Sequence, residues 1–243
     1  MNNLRDTIAF IEKEYHQSLI DLPCFDFKTM SNQLLLQPKY LFRGESLDYP
    51  ATTSTSYRYF KENPPLFEEI NYYLTGVHPK IPFQTNEYSL YHFLREGLFG
   101  VSIVEKSKDT NIDTFIAGLM QHYQFDTALI DLTSDINIAA HFACAGDIGN
   151  VGQILTILTS SIENRYFDLT QSPGRRPQIQ KSFVMSLPNG LDLKSFEFIR
   201  NYNAVWLPFT ITEEDKKWKI YHLSDSPGRN ELRPSYWFIC RHI

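Results

Sequence analysis

The sequence predicts an α+β domain, with a mixed or antiparallel sheet as its core and a helical N-terminal portion. Near the N-terminus, apolar residues recur at spacings of three and four, which indicates an amphipathic helix: Leu4, Ile8, Ile11, Tyr15 and Leu19. Helical patterns come first along the chain and mixed strand patterns later, an order typical of α+β domains. We therefore expect a helical segment over residues 1–37 and one globular α+β unit over residues 38–243.

The helical predictions rest on apolar periodicity and on residues that begin or end helices. After the N-terminal helix over residues 4–20, the same kind of pattern predicts helices over residues 65–76, 85–99 and 112–123. Residues 134–146 begin with a Ser-Asp pair of the type that caps a helix and end with a glycine. They predict a further helix.

The strand predictions rest on short, β-rich apolar runs. The run Tyr40-Leu41-Phe42 predicts a strand that stops at an Arg43-Gly44 turn. Further strands are predicted within residues 127–132, 152–160, 181–187, 204–211 and 235–243. The polar stretch around residues 52–56 favours a loop or an edge strand.

Composition excludes several classes of protein. The chain has 243 residues, of which 42% are hydrophobic, so it can build a substantial core. A formal net charge of −5 does not favour nucleic acid as a partner, although a local basic groove could still bind it. The three cysteines form no CxxC pair, so we expect no metal site. No apolar run is long enough for a membrane span, and we expect a soluble, cytoplasmic protein.

The central stretch of residues 119–135 places side chains of catalytic type between apolar runs. On a strand, Asp131 would face away from Ile130 and Leu132, and a buried carboxylate needs a partner such as His122. Thr133 and Ser134 follow where the strand turns into a helix, whose N-terminus favours an anion. A structural role, in which these groups tie loops together and cap the helix, is equally open.

Three other polar segments could contribute to a binding site. Arg43 lies at a predicted strand end, and Arg58 follows a run of hydroxyl side chains at residues 52–56. Guanidinium groups and hydroxyls suit phosphate and ribose. Arg175, Arg176 and Gln180 precede a β-rich run. Surface salt bridges, capping hydroxyls and a basic surface loop are the structural alternatives.

Together these segments resemble the FRG domain family over roughly residues 38–185. Phe42-Arg43-Gly44 matches the motif that names the family. "QHYQFDTALIDLTSDINIAAHFA" is similar to the family's "QHYGLPTRLLDWTxNPxxALYFA" and shares its Gln-His-Tyr at residues 121–123. The family's Gly-Leu-Pro is replaced at residues 124–126, its arginine by Ala128 and its tryptophan by Leu132.

The chain has a weaker resemblance to ADP-ribosyltransferases. This resemblance implies an ADP-ribosyltransferase-like fold and gives roles to several residues. Arg43 would contact the phosphate or ribose of NAD, and Thr133 and Ser134 would lie beside the nicotinamide ribose. Gln180 would occupy the place of the late catalytic glutamate. Because an amide cannot neutralise a developing positive charge, Asp131 would have to supply the acid.

We therefore predict one arginine-lined cleft for a nucleotide-like ligand, with NAD as the candidate cofactor. Its ligand-binding residues would be Arg43, Arg58, His122, Tyr123 and Ser134, and its catalytic residues Asp131, Thr133 and Gln180. The resemblance implies an ADP-ribosyltransferase-like enzyme of bacterial defence or toxin systems. A non-catalytic nucleotide or nucleic-acid binding module, and a protein-interaction domain with a structural Arg-Asp-His network, are the alternatives. The sequence leaves the oligomeric state open.

Overall fold

The computed structural model describes most of the chain outside the segment between residues 58 and 114 and the segment after residue 218. The described residues are 3–26, 29, 31–54, 57–58, 114–115, 118–119, 121–122, 127, 129–163, 165–170, 172, 175–186 and 191–218. The helices predicted over residues 65–76 and 85–99 and the strand predicted over 235–243 lie outside these ranges.

Four α-helices have described bounds: α1 (Leu4–Glu14), α2 (Ile136–Ala143), α3 (Arg175–Ile179) and α4 (Phe196–Asn201). Short 3-10 helices span Thr159–Ile162 and Asp215–Lys217. The described residues within the predicted helix 112–123 are all helical. Side chains cap α1 and α2, because Asn3 accepts from the Asp6 amide and Asp135 from the Asn137 amide. No described helix is long and apolar enough to cross a membrane.

Eight described strands form two sheets. The strands are β1 (Leu19–Asp26), β2 (Ser31–Pro38), β3 (Tyr40–Glu45), β4 (Leu129–Thr133), β5 (Val151–Leu158), β6 (Tyr166–Asp168), β7 (Ser182–Ser186) and β8 (Ala204–Thr210). β1 and β2 make a two-stranded sheet, and the others make a six-stranded sheet in the order β6-β7-β4-β3-β5-β8. Every pair of neighbouring strands is antiparallel. The α+β class with an antiparallel sheet is thus confirmed.

The expectation of a helical segment over residues 1–37 is wrong for its second half. α1 ends at Glu14, and β1 pairs with β2 along its whole length from Leu19↔Pro38 to Asp26↔Ser31. The apolar spacing was misleading at its last member, because Leu19 is 63% exposed and begins strand β1. The strand β3 was also predicted too short, since it continues through the Arg43-Gly44 pair to Glu45.

The six-stranded sheet carries apolar side chains on both faces. Leu41 belongs to one buried cluster, which α4 covers with Phe198. Its neighbour Phe42 belongs to the other cluster, together with residues of α1 and α2. Strand alternation explains the division, because successive side chains point to opposite faces. The N-terminal helix therefore packs on the sheet of its own chain, through Leu4 and Ile8 among others.

Gly44 permits the close approach of α2 to β3. A Cβ atom at this position would lie 1.8 Å from the carbonyl oxygen of Ala139 and 2.7 Å from the amide nitrogen of Ala143. Both of these are backbone atoms, which cannot rotate aside as a side chain can. The glycine of the Phe-Arg-Gly motif is therefore required by the packing of helix against strand.

Candidate functional site

The middle of the sheet is incomplete between β3 and β4. β3 pairs with β5 over six residues, and β4 pairs with β7 over five, yet β3 and β4 are in register only at Phe42↔Thr133. Beyond that pair the Arg43 side chain bridges the two strands, donating from Nη1 to the backbone oxygen of Asp131 at 3.0 Å. The connection joins residues 88 positions apart in the sequence.

A cleft of about 430 Å³ opens at this junction. It is bounded by the C-terminal half of β3, by β4 and β7, by α2 and α3, and by the helical residues 121–122. Six of the predicted site residues line it: Arg43, Arg58, His122, Asp131, Thr133 and Gln180. The convergence that the sequence predicted is therefore present among the described residues.

Arg43 is held in place by a buried carboxylate that sequence reasoning missed. Its Nε donates to Glu45 Oε1 at 3.2 Å, and the Glu45 side chain is only 4% exposed. The second oxygen of Glu45 accepts from the Thr52 hydroxyl at 2.9 Å, and Lys194 Nζ lies 3.9 Å from it. Residues two positions apart on a strand lie on the same face. The spacing of Arg43 and Glu45 was therefore the signal in the sequence that could have placed Glu45 beside Arg43.

His122 is a buried histidine whose ring is oriented by Gln180. Its Nδ1 lies 2.9 Å from Gln180 Oε1, and this carbonyl oxygen assigns the ring hydrogen to Nδ1. Its Nε2 lies 3.9 Å from Asp131 Oδ1. Burial lowers the pKa of His122, and Arg176 acts in the same direction. Asp131 and the hydrogen bond to Gln180 only partly oppose this, so the neutral imidazole is favoured.

Asp131 faces the direction that strand alternation predicts. Its neighbours Ile130 and Leu132 belong to the cluster under α4, whereas the Asp131 side chain points to the other face and is 45% exposed. Oδ1 itself is buried and has no hydrogen-bond partner among the described residues. A carboxylate with one buried, unpaired oxygen beside a neutral histidine is unusual for a purely structural residue.

The Thr133 hydroxyl and the Ser134 amide form hydrogen bonds with backbone groups of the protein. The Thr133 hydroxyl donates to the Gln180 carbonyl oxygen at 2.8 Å and accepts from the Asp135 amide at 3.1 Å. Ser134 is not among the lining residues, and its amide donates to the carbonyl oxygen of Lys181. The structure thus brings Thr133 to the cleft wall and leaves Ser134 outside it.

The expected anion site at the helix N-terminus is occupied by the protein itself. Asp135 caps α2 by accepting from the Asn137 amide at 2.9 Å, and its other oxygen is 2.6 Å from Lys181 Nζ. Burial by itself would raise the pKa of Asp135, but these contacts together outweigh it and lower the pKa, which keeps the cap charged. A second anion is therefore not favoured at this end of α2.

The remaining predicted residues differ in how they relate to the cleft. Arg58 is exposed at the cleft wall, after a turn in which the Ser54 hydroxyl accepts from the Tyr57 amide. Thr53 and Ser54 are buried, and the Ser54 hydroxyl has the capping role that was one of the two interpretations of this stretch. Tyr123 lies outside the described residues. Arg176, which belongs to one of the polar segments that could contribute to a binding site, adds a third arginine to the lining.

These features define an α+β protein with a polar cleft where two central strands separate. Its described lining carries three arginines, Arg43, Arg58 and Arg176, against two carboxylates, Glu45 and Asp131. These described side chains sum to one positive charge, on a chain whose formal net charge is −5.

The FRG domain family matches residues 38–149, and this chain carries an FRG domain over that range. The match begins where the sequence resemblance was expected to begin, and it includes the Phe-Arg-Gly motif and the central block. It ends before Gln180, which the fold nevertheless brings to the same cleft. No curated protein and no solved structure gives a significant match. The weaker resemblance to ADP-ribosyltransferases therefore stays a prediction.

Proposed function

We propose that the cleft of the FRG domain binds an anionic, nucleotide-like ligand, with NAD as the first candidate. The observation that carries the proposal is the meeting of three arginines from separate parts of the chain in one concave site. Guanidinium groups are the side chains best suited to phosphate, because they keep their charge and offer several N–H donors in one plane.

Two of the three arginines, Arg43 and Arg58, are placed differently. Arg43 uses Nε and Nη1 for Glu45 and for the backbone of Asp131, and these bonds fix the plane of its guanidinium. Its side chain remains 24% exposed to the cleft, and a guanidinium has five N–H donors in all. Arg58 lies at the exposed wall, where a phosphate would enter. A fixed inner arginine and an outer one suit an elongated anion.

The size of the cleft agrees with this class of ligand. Its volume of about 430 Å³ lies within the range of small-molecule sites, which run from about 300 to 1,000 Å³. Phe142, which is 40% exposed, contributes apolar surface among the polar groups of the lining. A base or a nicotinamide ring would contact such a surface while the phosphates lie near the arginines.

Chemistry on the ligand is a second proposal, favoured by the half-exposed carboxylate of Asp131. Gln180 is committed to His122 and carries no charge, so it cannot stabilise an oxocarbenium-like centre. Asp131 is the carboxylate able to do so, because Glu45 is enclosed by Arg43 and Thr52. The enzyme hypothesis thus depends on Asp131, and the non-catalytic binding module is its alternative.

The test is the melting temperature of the protein with NAD, with ATP and with inorganic phosphate. A ligand at about 100 times its Kd stabilises by about 2.7 kcal/mol, which raises Tm by roughly 5–10 °C in a domain of this size. We expect Arg58→Gln to abolish most of the shift and Arg5→Gln to retain it, because Arg5 pairs with Glu214 on the exposed surface.

Arg43 is unsuitable as the test residue because its substitution would remove the bridge between β3 and β4. Free nicotinamide measured in the NAD samples separates the enzyme from the binding module. Tm values unchanged by all three compounds would contradict the proposal. They would favour the third hypothesis, in which the Arg-Asp-His network is structural.

A further inference from the structure

We infer that His122 and Asp131 form a subsite that recognises an NH2 group of the ligand by accepting its hydrogen bonds. This NH2 group belongs either to a primary carboxamide or to the amino group of a base. The inference rests on the proposed function, since it names the part of a nucleotide-like ligand that enters deepest. It concerns recognition and holds whether or not the ligand is chemically converted.

Two facing polar atoms carry the inference. His122 Nε2 and Asp131 Oδ1 are both buried in the cleft wall, and neither has a hydrogen-bond partner among the described residues. Their separation of 3.9 Å exceeds the length of a direct hydrogen bond. Buried polar atoms of folded proteins nearly always have partners, so a pair left without them points to a bound group.

Both atoms are acceptors. Gln180 Oε1 takes the hydrogen on Nδ1, so the neutral imidazole presents an unshared pair at Nε2. Asp131 presents a carboxylate oxygen. A group between the two must therefore donate two hydrogens, one to each acceptor, from an atom that lies near 2.9 Å from both.

This requirement selects the chemistry of the ligand. A hydroxyl donates only one hydrogen, a carbonyl donates none, and a carboxylate would be repelled by Asp131. An ammonium group also has enough hydrogens, but the nucleotide-like ligands proposed above carry none. A neutral NH2 group meets both conditions. It occurs in the nicotinamide carboxamide and in the adenine base.

Isothermal titration of the whole chain with three dinucleotides tests the inference. NAD carries both NH2 groups, nicotinic acid adenine dinucleotide lacks the carboxamide, and nicotinamide hypoxanthine dinucleotide lacks the amino group of the base. We expect one of the two analogues to bind at least about tenfold more weakly than NAD, because a charge-assisted hydrogen bond is lost. Which analogue binds weakly identifies the end of the ligand that lies between His122 and Asp131.

The variant Asp131→Ala should bind NAD and the analogue that the wild type binds weakly with Kd values within about twofold of each other. Asp147→Ala, an exposed aspartate outside the cleft, should keep the wild-type discrimination. Equal affinity of the wild type for all three compounds would overturn the inference and leave the proposed function intact, with a water molecule as the occupant of the subsite. Absence of binding by all three would overturn both.

Discussion

The glycine of the Phe-Arg-Gly motif gives the sharpest test of the fold around the cleft. In Gly44→Ala the added Cβ would lie 1.8 Å from Ala139 O, where real Cβ atoms essentially never come closer than 3.0 Å to such a neighbour. The contact atom belongs to the backbone of α2, so it can yield only if helix and strand separate by roughly 1 Å. That movement would disturb the packing of Ala139, Ala140 and Ala143, all fully buried.

The expected loss follows from the cost of overpacking a rigid contact. Inserted methyl groups in well-packed cores cost about 1–3 kcal/mol, and a clash with two backbone atoms belongs at the upper end of that range. A loss of about 3 kcal/mol lowers Tm by roughly 6–12 °C in a chain of this length.

Thermal unfolding followed by circular dichroism measures the loss. Gly149→Ala is the matched control, because its φ of +86° strains any alanine while nothing lies within 4 Å of the added Cβ. That strain costs about 1–2 kcal/mol. A Gly44→Ala protein that is as stable as Gly149→Ala would show that the close approach of α2 to β3 is not what requires the glycine.

Two further predictions concern titratable groups. Because burial lowers the pKa of His122, the folded state favours neutral imidazole. The stability this group supplies is present above its unfolded pKa near 6.5 and is lost as the pH falls through that value toward the lower folded pKa. Melting temperatures from pH 8 to 5 should therefore fall less steeply for His122→Gln than for the wild type, and parallel profiles would refute this. Burial also raises the pKa of Cys24 to about 11 and of Cys144 to about 12. In a Cys240→Ser variant at pH 8, iodoacetamide should label these thiols slowly until the protein is unfolded, whereas rapid labelling of the native protein would contradict the burial.

Much of the sheet and part of the cleft could be predicted from local patterns. The runs around Leu41, Ile130, Ile157 and Phe183 became strands, because short apolar segments bounded by polar residues bury best in a sheet. The capping residue Asp135 marked the start of α2 correctly. Asp131 could be placed on the opposite face from its neighbours, since strand alternation needs no tertiary information.

The N-terminal hairpin escaped prediction for a physical reason. Leu19, Leu34 and Leu36 are each more than 60% exposed, so the apolar residues of β1 and β2 do not mark a buried face. Hydrophobic periodicity predicts structure only where burial follows the pattern. The helix α3 (Arg175–Ile179) has only five residues, which is too short for apolar periodicity to indicate a helix.

The amino-acid sequence was enough to define the FRG domain, most of the central strands and the residue types able to line a cleft, because these depend on neighbours a few positions apart. Tertiary structure alone decided that Arg43 bridges to Asp131 across 88 residues, that Glu45 fixes its guanidinium and that Ser134 stays outside the cleft. It also set the 3.9 Å between His122 and Asp131. That distance results from how a helix packs on a strand, and no local pattern encodes it.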